Sequence, residues 1–280
     1  MSQPTATDRD ATVQPAAFDA TVEAEPLQTV LDAAAVLVDE CIVRPEPDEF
    51  RIVATDPATV GIVDATVDAA AFERYETSGA RLGVDLTRLA AVVGMADGDD
   101  LVGLSLDPER RRLEVRVGDL VYALALVDPD AVRSLPDVVD FSEHFVARVQ
   151  LDGGMLSRGV DAAVMVSNHV EIGVEKADGD GENGGSDAVR TLRLRAEGDT
   201  DSVDFGVDEG DCGVFEVDAG AEARSLFSLS YLSEMNRVVP SGRPVTVRLG
   251  EQETPMDLAF DVADGEGRVT FALAPRISRG

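Results

Sequence analysis

Apolar positions change their period several times along this chain, and the changes mark out its elements. Behind Pro26, the residues Leu27, Val30, Leu31, Ala34 and Val38 recur at three- and four-residue spacing. That predicts an amphipathic helix with proline in its first turn. Short apolar runs follow at 51–55, 60–67, 81–84, 101–106, 113–117 and 120–127, broken by Asp, Gly and Pro, as expected of an antiparallel sheet. The alternation then restarts, with a helix around 155–163, strands at 170–175, 191–196, 202–207 and 214–217, a helix at 228–238, and closing strands at 245–249, 256–262 and 268–274. Laid on one another, 83–106 and 226–249 match without a gap: Val84 meets Phe227, Leu86 meets Leu229, Leu89 meets Leu232 and Val92 meets Met235. Farther on, Val102, Leu104 and Leu106 meet Val245, Val247 and Leu249. Each copy reads strand, helix, strand, and each helix opens at a residue able to cap it, Asp85 or Ser228. The expectation is an α+β fold of two similar halves, each with antiparallel strands and two helices over one sheet face.

The pattern also suggests boundaries. Residues 1–17 are polar, acidic and aperiodic and read as a disordered extension. One domain is expected over 18–127 and a second over 145–280, joined by a linker at 128–144 that contains Pro129 and Pro136. The low-complexity stretch 178–187 spaces Gly179, Gly181 and Gly184 like a dinucleotide loop, but no helix follows it. As a calcium loop it would carry Glu182, Asn183 and Val189 at positions that want other residues, so it reads as an acidic hairpin tip.

Composition adds one strong constraint. With 44% apolar residues the chain can build real cores, yet 54 acidic residues face 24 basic ones for a formal charge of −30. Lys176 is the only lysine. The acids are spread over the whole length, which fits a cytosol of molar salt, where repulsion is screened within about 3 Å, better than one cationic partner. Cys41 and Cys212 stand alone, so neither a zinc site nor a disulfide framework is expected. The absence of a long apolar run or a leader pattern leads us to expect a soluble, cytoplasmic protein.

Three stretches together resemble the sliding clamp family, proliferating cell nuclear antigen (PCNA), and its haloarchaeal members above all. They are Ala54-Thr-Asp-Pro-Ala-Thr-Val-Gly-Ile-Val-Asp64 with Ala71-Phe-Glu-Arg-Tyr75; Leu82-Gly-Val-Asp-Leu-Thr-Arg-Leu89; and Phe227-Ser-Leu-Ser-Tyr-Leu232 with Leu-Ala-Pro-Arg-Ile at 273–277. The resemblance implies a pseudo-six-fold trimeric ring with helices lining the hole, closed by edge-strand pairing between 120–126 and a strand near 191–196. It implies a processivity factor around duplex DNA, without sequence preference, that tethers polymerase, flap nuclease, ligase and clamp loader. No cofactor and no metal are implied.

The same resemblance places a partner-peptide pocket at Val60, Leu135, Pro255, Ala274, Pro275 and Ile277. Thr55 and Ala272 stand where the family carries bulkier apolar side chains, which implies a shallower, more polar pocket. DNA-facing candidates are Arg88, Arg158, Arg237 and Arg243, with Asp161 and Glu234 on the same helices. The first helix carries Gln28, Thr29 and Ala35 where basic residues are usual, so the face is weakly basic. A diverged paralogue in a mixed ring, or an acidic scaffold unrelated to DNA, is the alternative. An enzyme is not expected: His144 and His169 lie near no nucleophile motif, and neither a Gly-x-Ser-x-Gly elbow nor a Walker loop is present.

Overall fold

The structure is a computed structural model that describes residues 17–133, 141–176 and 189–276. The first half runs β1 (Phe18–Glu23), α1 (Ala24–Ala35), β2 (Glu40–Pro45), β3 (Glu49–Thr55), β4 (Gly61–Asp68), β5 (Arg74–Thr77), β6 (Leu82–Asp85), α2 (Leu86–Val93), β7 (Leu101–Asp107), β8 (Arg112–Val117) and β9 (Leu120–Ala125). The second repeats that order: β10 (Phe145–Asp152), α3 (Gly153–Val164), β11 (His169–Lys176), β12 (Arg190–Glu197), β13 (Ser202–Asp208), β14 (Val214–Val217), β15 (Arg224–Ser228), α4 (Leu229–Asn236), β16 (Pro244–Gly250), β17 (Met256–Val262) and β18 (Gly267–Leu273). The proposed extension up to Ala16 and the acidic tip at 178–187 lie outside the described residues.

Sheet order shows how the halves join. Five strands, β5-β1-β7-β8-β9, form one sheet, and four, β13-β12-β11-β15, form another. Their counterparts, β14-β10-β16-β17-β18 and β4-β3-β2-β6, are fused into a single nine-stranded sheet because β18 pairs with β4 in antiparallel register from Gly267↔Val67 to Leu273↔Gly61. The same junction has no partner at β9 and β13, each of which ends its sheet. This corrects the edge expected near 191–196. That strand, β12, is paired on both sides, to β11 from Glu171↔Arg195 to Lys176↔Arg190 and to β13 from Thr191↔Asp208 to Glu197↔Ser202. The strand that ends the sheet on this side is β13.

Alternation explains the layers. On β4 and β18 every second residue is buried, and the buried set Val63, Ala65, Val67, Val269 and Phe271 is 0–1% exposed. The helices cover the buried faces of two sheets: α1 lies on β3 and β4 and against α2, while α3 lies on β12 and β13 of the four-stranded sheet and against α4. Leu27, Val30, Leu31 and Ala34 of α1 are buried as the spacing requires, and Pro26 falls in the first turn. Asp85 caps α2 by accepting from the Arg88 amide at 3.0 Å. Ser228 makes no such bond; its Oγ sits 2.9 Å from Ser230 Oγ.

Candidate functional site

Two surfaces carry the residues singled out by the sequence: the exposed face of the helix layer and a row of strand ends at the tail. On the helix layer, neighbouring helices are tied by polar side chains at equivalent places in the two halves. The Gln28 amide donates to Val93 O at 3.1 Å and Ala96 O at 3.0 Å, joining α1 to α2. Ser157 Oγ bonds Gly153 O at 3.0 Å and Asn236 Oδ1 at 3.2 Å, joining α3 to α4. Gln28 is thus a fastening between helices, using donors that a solvent-facing side chain would offer elsewhere.

The arginines of this face are mostly neutralised already. Arg88 Nε lies 3.0 Å from Asp85 Oδ2, Arg237 Nη1 2.5 Å from Glu234 Oε2, and Arg243 Nη2 3.5 Å from Glu25 Oε1. Arg158, exposed on α3, has no ion pair among the described residues. Glu25 and Asp32 on α1 and Asp161 on α3 are exposed as well. The face carries both signs in near balance, so long-range attraction for a polyanion is weak.

The tail row follows from strand register. Ala274 donates its amide to Val60 O at 2.8 Å, continuing the β18–β4 ladder one step past Leu273↔Gly61. Pro255 stands one step before Met256, whose partner is Leu273, so Pro255 faces Ala274 from the other side. Val60, Ala274 and Pro255 therefore line up across three strand ends, each half-buried, with Pro275 next along the tail. Leu135 and Ile277 lie outside the described residues. Arg133, at the start of the linker, donates to Pro57 O at 2.8 Å and Thr59 Oγ1 at 3.3 Å, which ties that residue to the same loop.

A buried carboxylate shapes that loop, and sequence reasoning missed it. Asp56, 4% exposed, accepts from the amides of Ala58 (2.8 Å), Val60 (2.7 Å) and Gly61 (2.7 Å), and from the Tyr231 hydroxyl on α4 (2.9 Å). Burial pushes its pKa up, but the donors from Gly61, Tyr231, Ala58 and Val60 outweigh burial and hold the carboxyl below its ordinary value. Burial, then the bond to Asp56, raises the Tyr231 phenol. The Asp-Pro-x-x-Val-Gly spacing at 56–61 is the available signal, since Asx side chains bond amides just downstream. Gly61 packs closely here: a Cβ would meet Leu37 Cδ2 at 2.9 Å and Met235 Cε at 3.0 Å, and those side-chain ends would have to shift. Thr55 is buried with its hydroxyl donating to Gly61 O at 3.0 Å, so it lends the row no free polar group.

Among the described residues no group of three or more His, Cys, Asp or Glu is placed to hold a metal ion. No helix among them is long and apolar enough to cross a membrane.

No protein family model matches the sequence. Over 260 residues, 93% of the chain, it is 44% identical to the DNA polymerase sliding clamp of Haloarcula marismortui and 46% identical to that of Natronomonas pharaonis, covering 98% of each. Among solved structures it is similar to PCNA of A. fulgidus, captured with the C-terminal region of FEN-1, at a TM-score of 0.82 and 31% identity, covering 94% of this chain and all of the other.

Proposed function

The chain belongs to the DNA polymerase sliding clamp family, and from that premise we propose that three copies close into a ring around duplex DNA through one defined strand pair. The observation that carries this is the pair of free edges, β9 and β13. The halves are built alike, so the β18–β4 junction inside the chain serves as a template for a β9–β13 junction between chains. Carrying its register across sets Leu120 of one copy opposite Phe205 of the next, and Tyr122 opposite Val203.

Burial supports this register. The four template residues, Val269, Phe271, Ala65 and Val63, are each 0% exposed. Their counterparts in a single chain are not: Leu120 is 38% exposed, and Tyr122, Phe205 and Val203 are half-buried. Covering them contributes on the order of 1 kcal/mol each. Each junction also completes a nine-stranded sheet of the kind already present within the chain. Both edges come from one sequence, which favours a ring of identical copies over a mixed one.

In this reading the domains are 18–127 and 145–280 with the connector 128–144, and no residue is catalytic. The ring is a topological tether that raises the local concentration of polymerase, flap nuclease, ligase and loader. Partner peptides lie on Val60, Pro255, Ala274 and Pro275, with Leu135 and Ile277 completing the pocket. Arg158 supplies the principal phosphate contact, and Arg88, Arg237 and Arg243 add theirs by exchanging a carboxylate for a phosphate. With −30 on each chain, the ring belongs to a high-salt cytoplasm.

Light scattering in about 2–3 M salt tests this. Three chain masses are expected for the parent, falling to one chain mass for Leu120→Asp with its fold intact by circular dichroism, and falling likewise when the parent is diluted out of salt. A Leu120→Asp protein that keeps the triple mass overturns the β9–β13 junction. Equal trimer stability at low salt overturns the high-salt reading.

A further inference from the structure

The equivalence of the halves also shows one place where they have diverged in chemistry. Beside β6 and β9 lies a small groove of 170 Å³, walled by Leu82, Leu106, Leu126 and Pro108, where Val127 donates its amide to Gly83 O at 2.8 Å. Its counterpart beside β15 and the tail is a cleft of 420 Å³, with the same fastening: Arg276 donates its amide to Leu226 O at 2.7 Å. The backbone is alike, but the lining is not. Ser225 stands where the first half has Leu82, and Glu251 stands where it has Pro108.

Both changes work against packing. Leu82 is 3% exposed and packs as an apolar wall of its groove, whereas Ser225 is 7% exposed and its Oγ has no hydrogen-bond partner among the described residues. An unpartnered buried hydroxyl is a cost that a leucine at this site avoids, as the first half demonstrates. The rim adds charge. Glu171 is matched by Arg224 at 3.6 Å, which leaves Glu222, Glu251 and Glu253 against Arg276, a net of two negative charges. The carboxylates do not converge into a set of metal ligands.

We propose that this cleft receives the cationic side chain, arginine or lysine, of a partner peptide whose apolar residues occupy the Val60–Ala274–Pro255 row. The proposal rests on the pocket assignment above. Pro275 joins the two sites, because it follows Ala274 of the row and lines the cleft. A guanidinium or ammonium group matches the carboxylate rim, and a turn of the Ser225 side chain toward the cleft it lines gives its buried Oγ the donor it lacks. In molar salt, where screening leaves only contact pairs effective, a walled cleft discriminates charge better than an open surface.

The test is fluorescence anisotropy on the full chain in about 2–3 M salt, using a synthetic peptide of the C-terminal region of FEN-1 in three forms: unextended, and extended at either end by two arginines or by two glutamines. The arginine form is expected to bind about fivefold tighter than the glutamine form, the worth of a partly exposed ion pair. The triple variant Glu222→Gln, Glu251→Gln, Glu253→Gln should erase that difference while binding the unextended peptide as the parent does. Ser225→Leu, which restores the packing of the other half, should reduce it without loss of the ring. If the unextended peptide binds and arginine gives no gain, or the gain survives in the triple variant, the cleft proposal falls and the pocket stands. If no form binds, both fall.

Discussion

Replacing Asp56 by asparagine keeps the shape of the side chain and removes its charge and one of its two acceptor oxygens. In the parent, Oδ1 accepts from Val60 and Gly61, and Oδ2 from Ala58 and Tyr231. The best placement of the amide keeps its oxygen on Val60 and Gly61, lets Tyr231 turn its hydroxyl to accept, and leaves the Ala58 N–H facing another donor. An orphaned donor costs about 1–3 kcal/mol, and the surviving bonds lose their charge assistance, so the change costs about 3 kcal/mol. That corresponds to a fall of about 6–12 °C in melting temperature. Scanning calorimetry at fixed protein and salt concentration measures it, with Tyr231→Phe costing about 1 kcal/mol alone and the double variant departing from additivity, because the two residues share one bond. The pH dependence gives an independent check. The folded carboxyl lies below its ordinary 3.8, so its contribution is whole above that value and is lost as pH falls through the folded pKa. The gap between parent and variant should therefore hold at pH 7 and close only in acid below 3.8. An unchanged melting temperature, or a gap that persists at the acid limit, refutes the role given to this carboxylate.

Other outcomes follow from the same geometry. Arg158→Ala should lower the salt dependence of ring retention on DNA by about one counterion per chain, measured as the slope of log affinity against log salt. Arg88→Ala, removing a side chain already paired with Asp85, should change the slope less, and equal slopes would count against that ranking. Gly83→Ala would drive a Cβ to 2.5 Å from Val127 O, so denaturant unfolding should show a loss of about 2 kcal/mol or more, and a neutral result would mean the β6–linker contact gives way freely. Burial pushes the Cys41 thiol up to about 12, and Cys212 is raised as well but lies half-buried. Alkylation followed by mass spectrometry should therefore modify Cys212 first, and equal rates would show that the first half opens readily.

The internal repeat was legible because α2 and α4 carry their leucines and flanking strands at identical spacing, and the helix from Pro26 because its period is unbroken. The strands β1, β2, β5 and β10 were not read from the pattern. Phe18, Ala20 and Val22 alternate, but over too few residues to stand out, and Cys41, Ile42 and Val43 form a short unbroken apolar run that carries no period. The edge was misread for a related reason: strand-forming residues do not say how many neighbours a strand has. In retrospect β12 held a clue, since Arg193 and Arg195 on one face find acids on both sides, Glu175 of β11 and Asp204 of β13, which only an interior strand permits. Asp56 escaped notice because one of its four donors comes from a tyrosine far along the chain, and sequence spacing carries no sign of such a bond.

The neutralised arginines bear on how the molecule moves once it is threaded. In the phosphate-facing role proposed for Arg88, Arg237 and Arg243, a phosphate reaching one of them would displace its carboxylate and leave the sum of contacts nearly unchanged, so each step along the duplex would start and end at similar energy. On that proposal, a collar with three exchangeable contacts and one open arginine per chain meets a shallow corrugation. Its hold on the duplex comes from enclosure, and its friction is low for that reason.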